Sequence, residues 1–446
     1  MIILLNKIKM KKTLLSAILL LSFLSAINAQ SSYTPTEENL QARKGFQDKK
    51  FGIFIHWGIY SMLGQGEWVM HNRNINYKEY PKIAAGFYPS LFDADEWIDA
   101  IKASGAKYIT ITSRHHDGFS MWDTKQSDYN IVKATPFKCD IIRELADACE
   151  RADIGLHFYY SHLDWGRTDY PIGRTGKGTG RPKNSISWNK YRKFMDAQLT
   201  ELLTNYGKIG AIWFDGVWDH DEDAIPFDWQ LSSQYELIHK LQPSCLVANN
   251  HHLPPFEGED IQIFERDLPG ENKAGYSGEN GISQLPLESC ETMNRTWGYN
   301  ITDSVYKSTT QLIHLLVGAA GRNANLLLNI GPEPNGKLPA EAVKRLHEIG
   351  DWMKKYGETI YGTRGGFIEP HDWGVTTQKD NKLYVHILNC QDKGLFLPTG
   401  KHKVIRARVF DNKTNIKFTK NQEGITLQLN EVPNAIDYII ELTMDR

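Results

Sequence analysis

Eight short apolar runs, several of them separated by helical patterns, constrain what this chain can fold into more than any other feature. They fall at residues 51–57, 107–115, 155–161, 211–216, 245–250, 260–265, 285–291 and 325–331. Between them, apolar residues recur at helical spacing over 95–104, after an acidic first turn and before Gly105, and again over 140–152 and 188–206. Strand–helix alternation with eight strand candidates predicts an α/β chain folded as a (β/α)8-like TIM-type barrel of parallel strands. Helical patterns are weak between the fifth and seventh runs, so the barrel is expected to be distorted or incomplete there. After a last helix over 339–356 the texture changes to alternating apolar and polar residues, as in 382–388, 425–429 and 436–442. That pattern predicts a small antiparallel β-sandwich. It reads either as a carbohydrate-binding module or, preferably, as a layer that packs against the barrel.

The N-terminus reads as an address. Lys7, Lys9, Lys11 and Lys12 precede an apolar stretch from Leu14 to Leu24, and the small residues Ala26 and Ala29 follow. This is the pattern of a secretory signal ending at residue 29, with an apolar stretch too short to span a bilayer comfortably. The expected division is a signal peptide over 1–29, a catalytic barrel over 30–358 and a β-sandwich over 359–446. The mature protein is expected to be exported, periplasmic or secreted, without an integral membrane segment. A net charge of −2 gives no electrostatic case for nucleic acid or an anionic membrane surface. Five scattered cysteines with no Cys-x-x-Cys pair argue against a disulfide framework or structural zinc. The Gly- and Arg-rich loop 166–183 lacks the spacing of a phosphate loop and reads instead as a mobile loop at the mouth of the barrel. Nothing in the sequence gives an oligomeric state.

Polar residues collect where the strand candidates end. The first ends in His56 and Trp57, the second in His115, His116 and Asp117, the third in Tyr159, Tyr160, Ser161 and His162. The fourth runs Ala211-Ile212-Trp213-Phe214-Asp215-Gly216, four apolar residues leading into a carboxylate, and the sixth ends in Glu265. In a barrel of parallel strands these C-terminal ends are where chemistry is done. The two-residue strand period puts Trp213 and Asp215 on one face, an aromatic plate beside an acid that suits a sugar ring. Two carboxylates on facing strands are the minimum for a glycosidase. His56, His115, His116 and His162 could alternatively ligate a metal, but no His-Glu-x-x-His run is present, and no Gly-x-Ser-x-Gly elbow supports a serine hydrolase.

At these residues the chain resembles a known family. The segments 51–58, Glu67-Trp68, 115–119, Tyr159-Tyr160-Ser161, 212–216, Trp297-Gly298-Tyr299 and 326–332 are similar, in collinear order over about residues 36–365, to the secreted α-L-fucosidases of glycoside hydrolase family 29. The resemblance implies a (β/α)8-like barrel with a C-terminal β-sandwich and retaining hydrolysis without a metal or other cofactor. It makes Asp215 the nucleophile. It implies a fucose pocket of His56, Glu67, Trp68, His115, His116 and Trp213, with Trp297 closing the side where fucose carries its methyl group. One of the two tyrosines also belongs there, and nearness to the strand end favours Tyr160. For the acid/base the resemblance offers Glu265 first and Glu288 second. The chain departs from the family in Asn249-Asn250-His251-His252, where many members have Asn-Asp-Arg; His251 or Arg266 is expected to replace that arginine.

These residue types suit the task. His and Glu fix hydroxyls in set directions, while tryptophan faces cover the apolar ring surface and the methyl. A sugar bearing a 6-hydroxyl would have to bury it unpaired. The expected activity is exo-acting, retaining α-L-fucosidase action on fucosylated oligosaccharides or glycoconjugates. The alternatives are a non-catalytic, lectin-like fucose binder on the same barrel and a secreted metal-dependent hydrolase.

Overall fold

A computed structural model describes residues 33–183, 186–277 and 281–445. The signal-like segment 1–29 lies outside the described residues. Eight parallel strands form one sheet: β1 (Phe51–Ile55), β2 (Tyr108–Arg114), β3 (Gly155–Ser161), β4 (Ala211–Asp215), β5 (Leu246–Asn250), β6 (Gln262–Glu265), β7 (Leu287–Thr292) and β8 (Ala324–Ile330). Their order is β5-β4-β3-β2-β1-β8-β7-β6, so β1 and β8 pair and the sheet curls into the expected barrel. The closure between β5 and β6 consists of a single isolated bridge, Ala248 to Ile261. Among the described residues no helix connects β5 to β6 or β6 to β7. The barrel is therefore open-seamed where the sequence lacks helical patterns.

Local signals set the helices around it. Asp93 caps Ala94–Ala103 by accepting from the Glu96 amide, and Asp140 caps Ile141–Ala152 by accepting from Arg143. The second helix buries Ile141, Ile142, Leu145, Ala148 and Cys149 on one stripe and stops where Asp153 turns left-handed at φ 57°. The strands are buried on both faces, which is why they read as nearly continuous apolar runs. One parity packs outward on the helices: Ile53 and Ile55, Ile109 and Ile111, Phe158 and Tyr160, Ile212 and Phe214. The other parity fills the lumen, where Phe54, Tyr108, Tyr159, Trp213, Ala248, Cys290 and Leu327 form a separate cluster. Gly52 leaves room for this filling, because a Cβ there would stand 2.3 Å from the Tyr108 ring.

After the helix Ala340–Tyr356 the chain forms two antiparallel sheets. One contains β9 (Arg364–Gly365), β10 (Gly374–Lys379), β11 (Lys382–Ile387), β13 (Val404–Val409) and β16 (Tyr438–Met444); the other contains β12 (Gly394–Leu397), β14 (Lys417–Lys420) and β15 (Ile425–Gln428). Leu383, Val385, Ile387, Leu397, Leu427 and Leu442 fill the space between them. The opposite face of the larger sheet, through Val375, Tyr384 and Ile439, joins the core of the barrel helices. This layer thus packs against the barrel, and we place the change of layer in the turn Gly357–Thr359. All five cysteines are free thiols, and among the described residues no helix is long and apolar enough to cross a membrane.

Candidate active site

The C-terminal strand ends surround a cavity of about 240 Å3. That volume admits one sugar ring rather than a chain of them. Asp215, the last residue of β4, projects into it with its side chain 12 % exposed. One of its oxygens, Oδ2, accepts from the Tyr159 hydroxyl at 2.9 Å and lies 3.6 Å from His116 Nε2. The other, Oδ1, accepts from the Trp218 indole at 2.8 Å, the Gly216 amide at 2.8 Å and, at 3.5 Å, the Asn250 amide. Gly216 lies at φ 99°, a left-handed turn that swings Trp218 back over the carboxylate. Burial and the nearby Glu265 push the Asp215 carboxyl up to about 6, against the pull of its hydrogen bonds.

Glu265, at the end of β6, lines the same cavity. Its Oε2 accepts from Asn250 at 2.7 Å and pairs with His252 Nε2 at 2.9 Å. Burial works to raise its pKa, but His252, Asn250 and Arg266 outweigh burial and hold it below the usual value. Glu288 sits elsewhere. It is buried in the lumen, where it accepts from Tyr108 at 2.6 Å and from the Trp213 indole at 3.0 Å. Burial pushes its carboxyl up to about 7, yet both oxygens are spoken for, one by Tyr108 in the lumen and one by the Trp213 indole. Glu288 therefore fixes the Trp213 ring that lines the cavity wall.

The remaining polar wall presents hydrogen-bond acceptors. His56 Nδ1 faces Asn329 Oδ1 at 2.6 Å, and the Asn329 amide nitrogen donates to Trp297 O, so Nδ1 carries the proton and Nε2 is a bare acceptor. His116 is set the same way: the Ser161 hydroxyl donates to Leu163 O and so accepts from His116 Nδ1 at 2.7 Å. Burial holds both imidazoles neutral, His56 down at about 3 and His116 well below its ordinary value, as it does His115. Glu67 accepts from the Gly298 amide at 2.7 Å, and burial raises its pKa. Trp68, stacked on Trp218 at 5.7 Å, and Trp297, tilted over His56 at 5.2 Å, supply the aromatic walls. Among the described residues no three His, Cys, Asp or Glu side chains converge to hold a metal ion.

Two of the expected pocket residues lie elsewhere. Tyr160 points outward, where its hydroxyl donates to Gln198 at 2.7 Å beneath the helix Trp188–Asn205; Tyr159 lines the cavity instead. Strand parity decides this: Tyr159 pairs with Trp213 and Ser161 with Asp215 across β3 and β4, so the inward set is odd-numbered. His251 is also outside the cavity. Its Nε2 contacts both oxygens of Glu259, at 3.0 and 3.1 Å, and its Nδ1 accepts from the Leu253 amide. His252, at φ 62°, turns in to the cavity in its place. Arg266 stands over Trp297 at 4.9 Å without lining the cavity, and the arginine that does line it is Arg174. Arg174 comes from the loop 166–183, which is tied down by Thr175, whose amide and hydroxyl donate to Asp219 and whose hydroxyl accepts from the Trp165 indole, and is braced internally by Arg181 donating to the Arg167 carbonyl. His162, another strand-end residue, bonds Gln234 at 2.6 Å outside the cavity. Trp218 and Tyr276 had no signal in the sequence, since each reaches the cavity from beyond a strand end; Asn250 ends β5, and Arg174 belongs to the loop expected at the mouth.

The two tyrosines give a direct check. Tyr159→Phe removes one donor to a charged acceptor, a contribution of about 1.5–3 kcal/mol. We expect kcat/KM on an aryl fucoside to fall ~10–100-fold. Tyr160→Phe should leave kcat/KM unchanged and cost about 1 kcal/mol of stability, read as a lower melting temperature.

Comparison with known proteins agrees with the geometry. The family model described as "Alpha-L-fucosidase" matches residues 20–358. An alpha-L-fucosidase of Dictyostelium discoideum is 28 % identical over 439 residues, covering 88 % of this chain and 89 % of that one. Among solved structures, alpha-L-fucosidase isoenzyme 1 from Paenibacillus thiaminolyticus superposes with a TM-score of 0.80 at 32 % identity, over 92 % of this chain and 100 % of that one. A glycoside hydrolase family 29 alpha-L-fucosidase from Bacteroides thetaiotaomicron, trapped as a covalent intermediate with 2-fluoro-fucosyl fluoride, superposes with a TM-score of 0.79 at 26 % identity, over 94 % and 98 %. The family match takes in well over half of the chain and all eight strands that frame the cavity. The chain belongs to the alpha-L-fucosidase family and is a glycoside hydrolase.

Proposed function

We propose that this protein is a retaining, exo-acting α-L-fucosidase of fucosylated oligosaccharides or glycoconjugates, with Asp215 as nucleophile and Glu265 as acid/base. The observation that carries this reading is the Asn250 side chain, whose one amide nitrogen reaches both carboxylates. The two oxygens it touches are no further apart than the sum of 3.5 and 2.7 Å. Inverting enzymes keep their carboxyls ~6.5–9.5 Å apart to admit a water, whereas retention needs ~5–5.5 Å. Asp215 attacks the anomeric carbon while Glu265 protonates the departing oxygen; Glu265 then takes a proton from the water that breaks the fucosyl-enzyme bond. The covalent intermediate trapped in the Bacteroides relative supports the same two-step course here.

The neutral His56 and His116 accept hydrogen bonds from ring hydroxyls, Glu67 accepts another, and the tryptophans cover the apolar face. A cavity of one-ring volume favours terminal residues. The signal-like segment 1–29 supports export to the periplasm or the exterior.

The test is the product. Proton NMR of hydrolysis in progress should show the α-anomer of L-fucose first, followed by slow mutarotation; the β-anomer appearing first would overturn retention. The pH profile adds a sign. Asp215 must be ionised to attack, so kcat/KM should fall as pH drops through about 6, the value to which its environment pushes it.

A further inference from the structure

Glu265 meets a difficulty as an acid. To protonate a leaving oxygen it must hold a proton, yet two nitrogens converge on its Oε2, from Asn250 at 2.7 Å and His252 at 2.9 Å. Such contacts ordinarily stabilise the carboxylate. The Asn250 amide nitrogen can only donate. The His252 imidazole can either donate to a carboxylate or accept from a carboxylic acid, so it and Glu265 can hold one proton in either of two places.

The surroundings fix this pair. The chain leaves β5 and turns left-handed at His252, which lays the ring face to face on Tyr276, with centroids 4.9 Å apart and planes at 16°. The stacked ring is 20 % exposed, and its Nε2 is aimed at Glu265. The neighbouring titratable and charged groups are Asp215 from β4, Arg266 just after β6, Cys290 from β7, Tyr276 itself, and Glu67 and His56 across the cavity.

We propose that His252 is the positioning residue of the acid/base, sharing with Glu265 the single proton that the reaction passes out and takes back. This rests on the reading of Glu265 as acid/base. In the first half the Glu265 O–H bond breaks and the leaving-group O–H forms, as the anomeric C–O bond breaks and the Asp215 ester forms. The pair then holds no proton. In the second half a water O–H breaks, its proton returns to the pair, and its oxygen replaces Asp215 on the anomeric carbon. No other reactant is needed.

The experiment compares His252→Gln, His252→Asn and Glu265→Gln with the parent on two substrates, an activated aryl α-L-fucoside and an unactivated fucosyl oligosaccharide. Gln keeps an N–H donor but cannot carry the proton. Asn tolerates φ 62° and is too short to reach Glu265. In His252→Gln the basic limb of kcat/KM for the oligosaccharide should move down by ~1 pH unit or more. Its kcat at pH 7 should fall ~10–100-fold, with the aryl fucoside and KM little changed. His252→Asn should also lose oligosaccharide turnover selectively. A basic limb that stays in place in His252→Gln, or equal losses on both substrates in the two His252 variants, would overturn the inference. Glu265→Gln separates the two readings. If it loses oligosaccharide turnover while the His252 profiles stay parental, only the role of His252 fails; if it retains that turnover, the assignment of Glu265 itself fails.

Discussion

Asp215→Ala is expected to lower kcat on aryl α-L-fucosides by ~10^4-fold or more, the scale seen when a nucleophile that works as part of a unit is removed. The fold should survive, because Asp215 sits at the strand tip and its donors keep cavity water as a partner. The methyl leaves a small void on the side from which the anomeric carbon is attacked. Azide fits there and carries the missing charge. It should restore part of the turnover, forming the C–N bond as the anomeric C–O bond breaks, and the product should be β-L-fucosyl azide because one displacement inverts the centre. Retention of parental turnover in Asp215→Ala would remove it from the role. An α-configured azide would show that another side chain attacks first.

Glu265→Ala should produce the second largest effect, and an uneven one. Leaving groups that need a proton should lose ~10^2–10^4-fold in kcat/KM. Activated aryl fucosides, which depart without help, should retain most of their first step. With no base to activate water, the fucosyl-enzyme should then accumulate, visible as a burst of aryl alcohol followed by slow turnover. Glu288→Ala is the control. Its carboxyl is closed off by Tyr108 and Trp213, so its loss should lower stability and disturb the Trp213 ring, weakening both substrates alike. If Glu288→Ala instead shows the leaving-group dependence, the two glutamates exchange roles.

The barrel was legible because fully buried parallel strands leave continuous apolar runs and their helices leave capped, periodic ones. Even the open seam was legible, as a stretch without helical pattern after β5. Within the site, the residues on strands followed from period two. Trp213 and Asp215 share the lumen face, and the same rule points to Tyr159, whereas nearness to the strand end pointed to Tyr160. Past a strand end the rule lapses. One left-handed residue at position 252 exchanges the facing of two adjacent histidines, and no pattern in Asn249-Asn250-His251-His252 announces it. The Glu265–Glu288 choice had a different obstacle: both end or occupy short strands, and only the lumen partners of Glu288 reveal that it faces Trp213 instead of solvent. Arg174 enters from a loop whose composition marked it as lying near the mouth and whose anchoring to Asp219 needed three dimensions.

The incomplete closure between β5 and β6 divides the site mechanically. Asp215, His56, His115 and His116 stand on or just past an unbroken arc of ladders from β4 through β1 to β8, while Glu265 and His252 stand on the two lips of the gap. Small changes in the connection 251–261 can therefore shift Glu265 and His252 by fractions of an ångström while Asp215 stays in place. Under the roles proposed above, such changes would alter which bonds are cut fast without altering which sugar is held. Hydrogen exchange should find those lips opening more readily than the arc opposite.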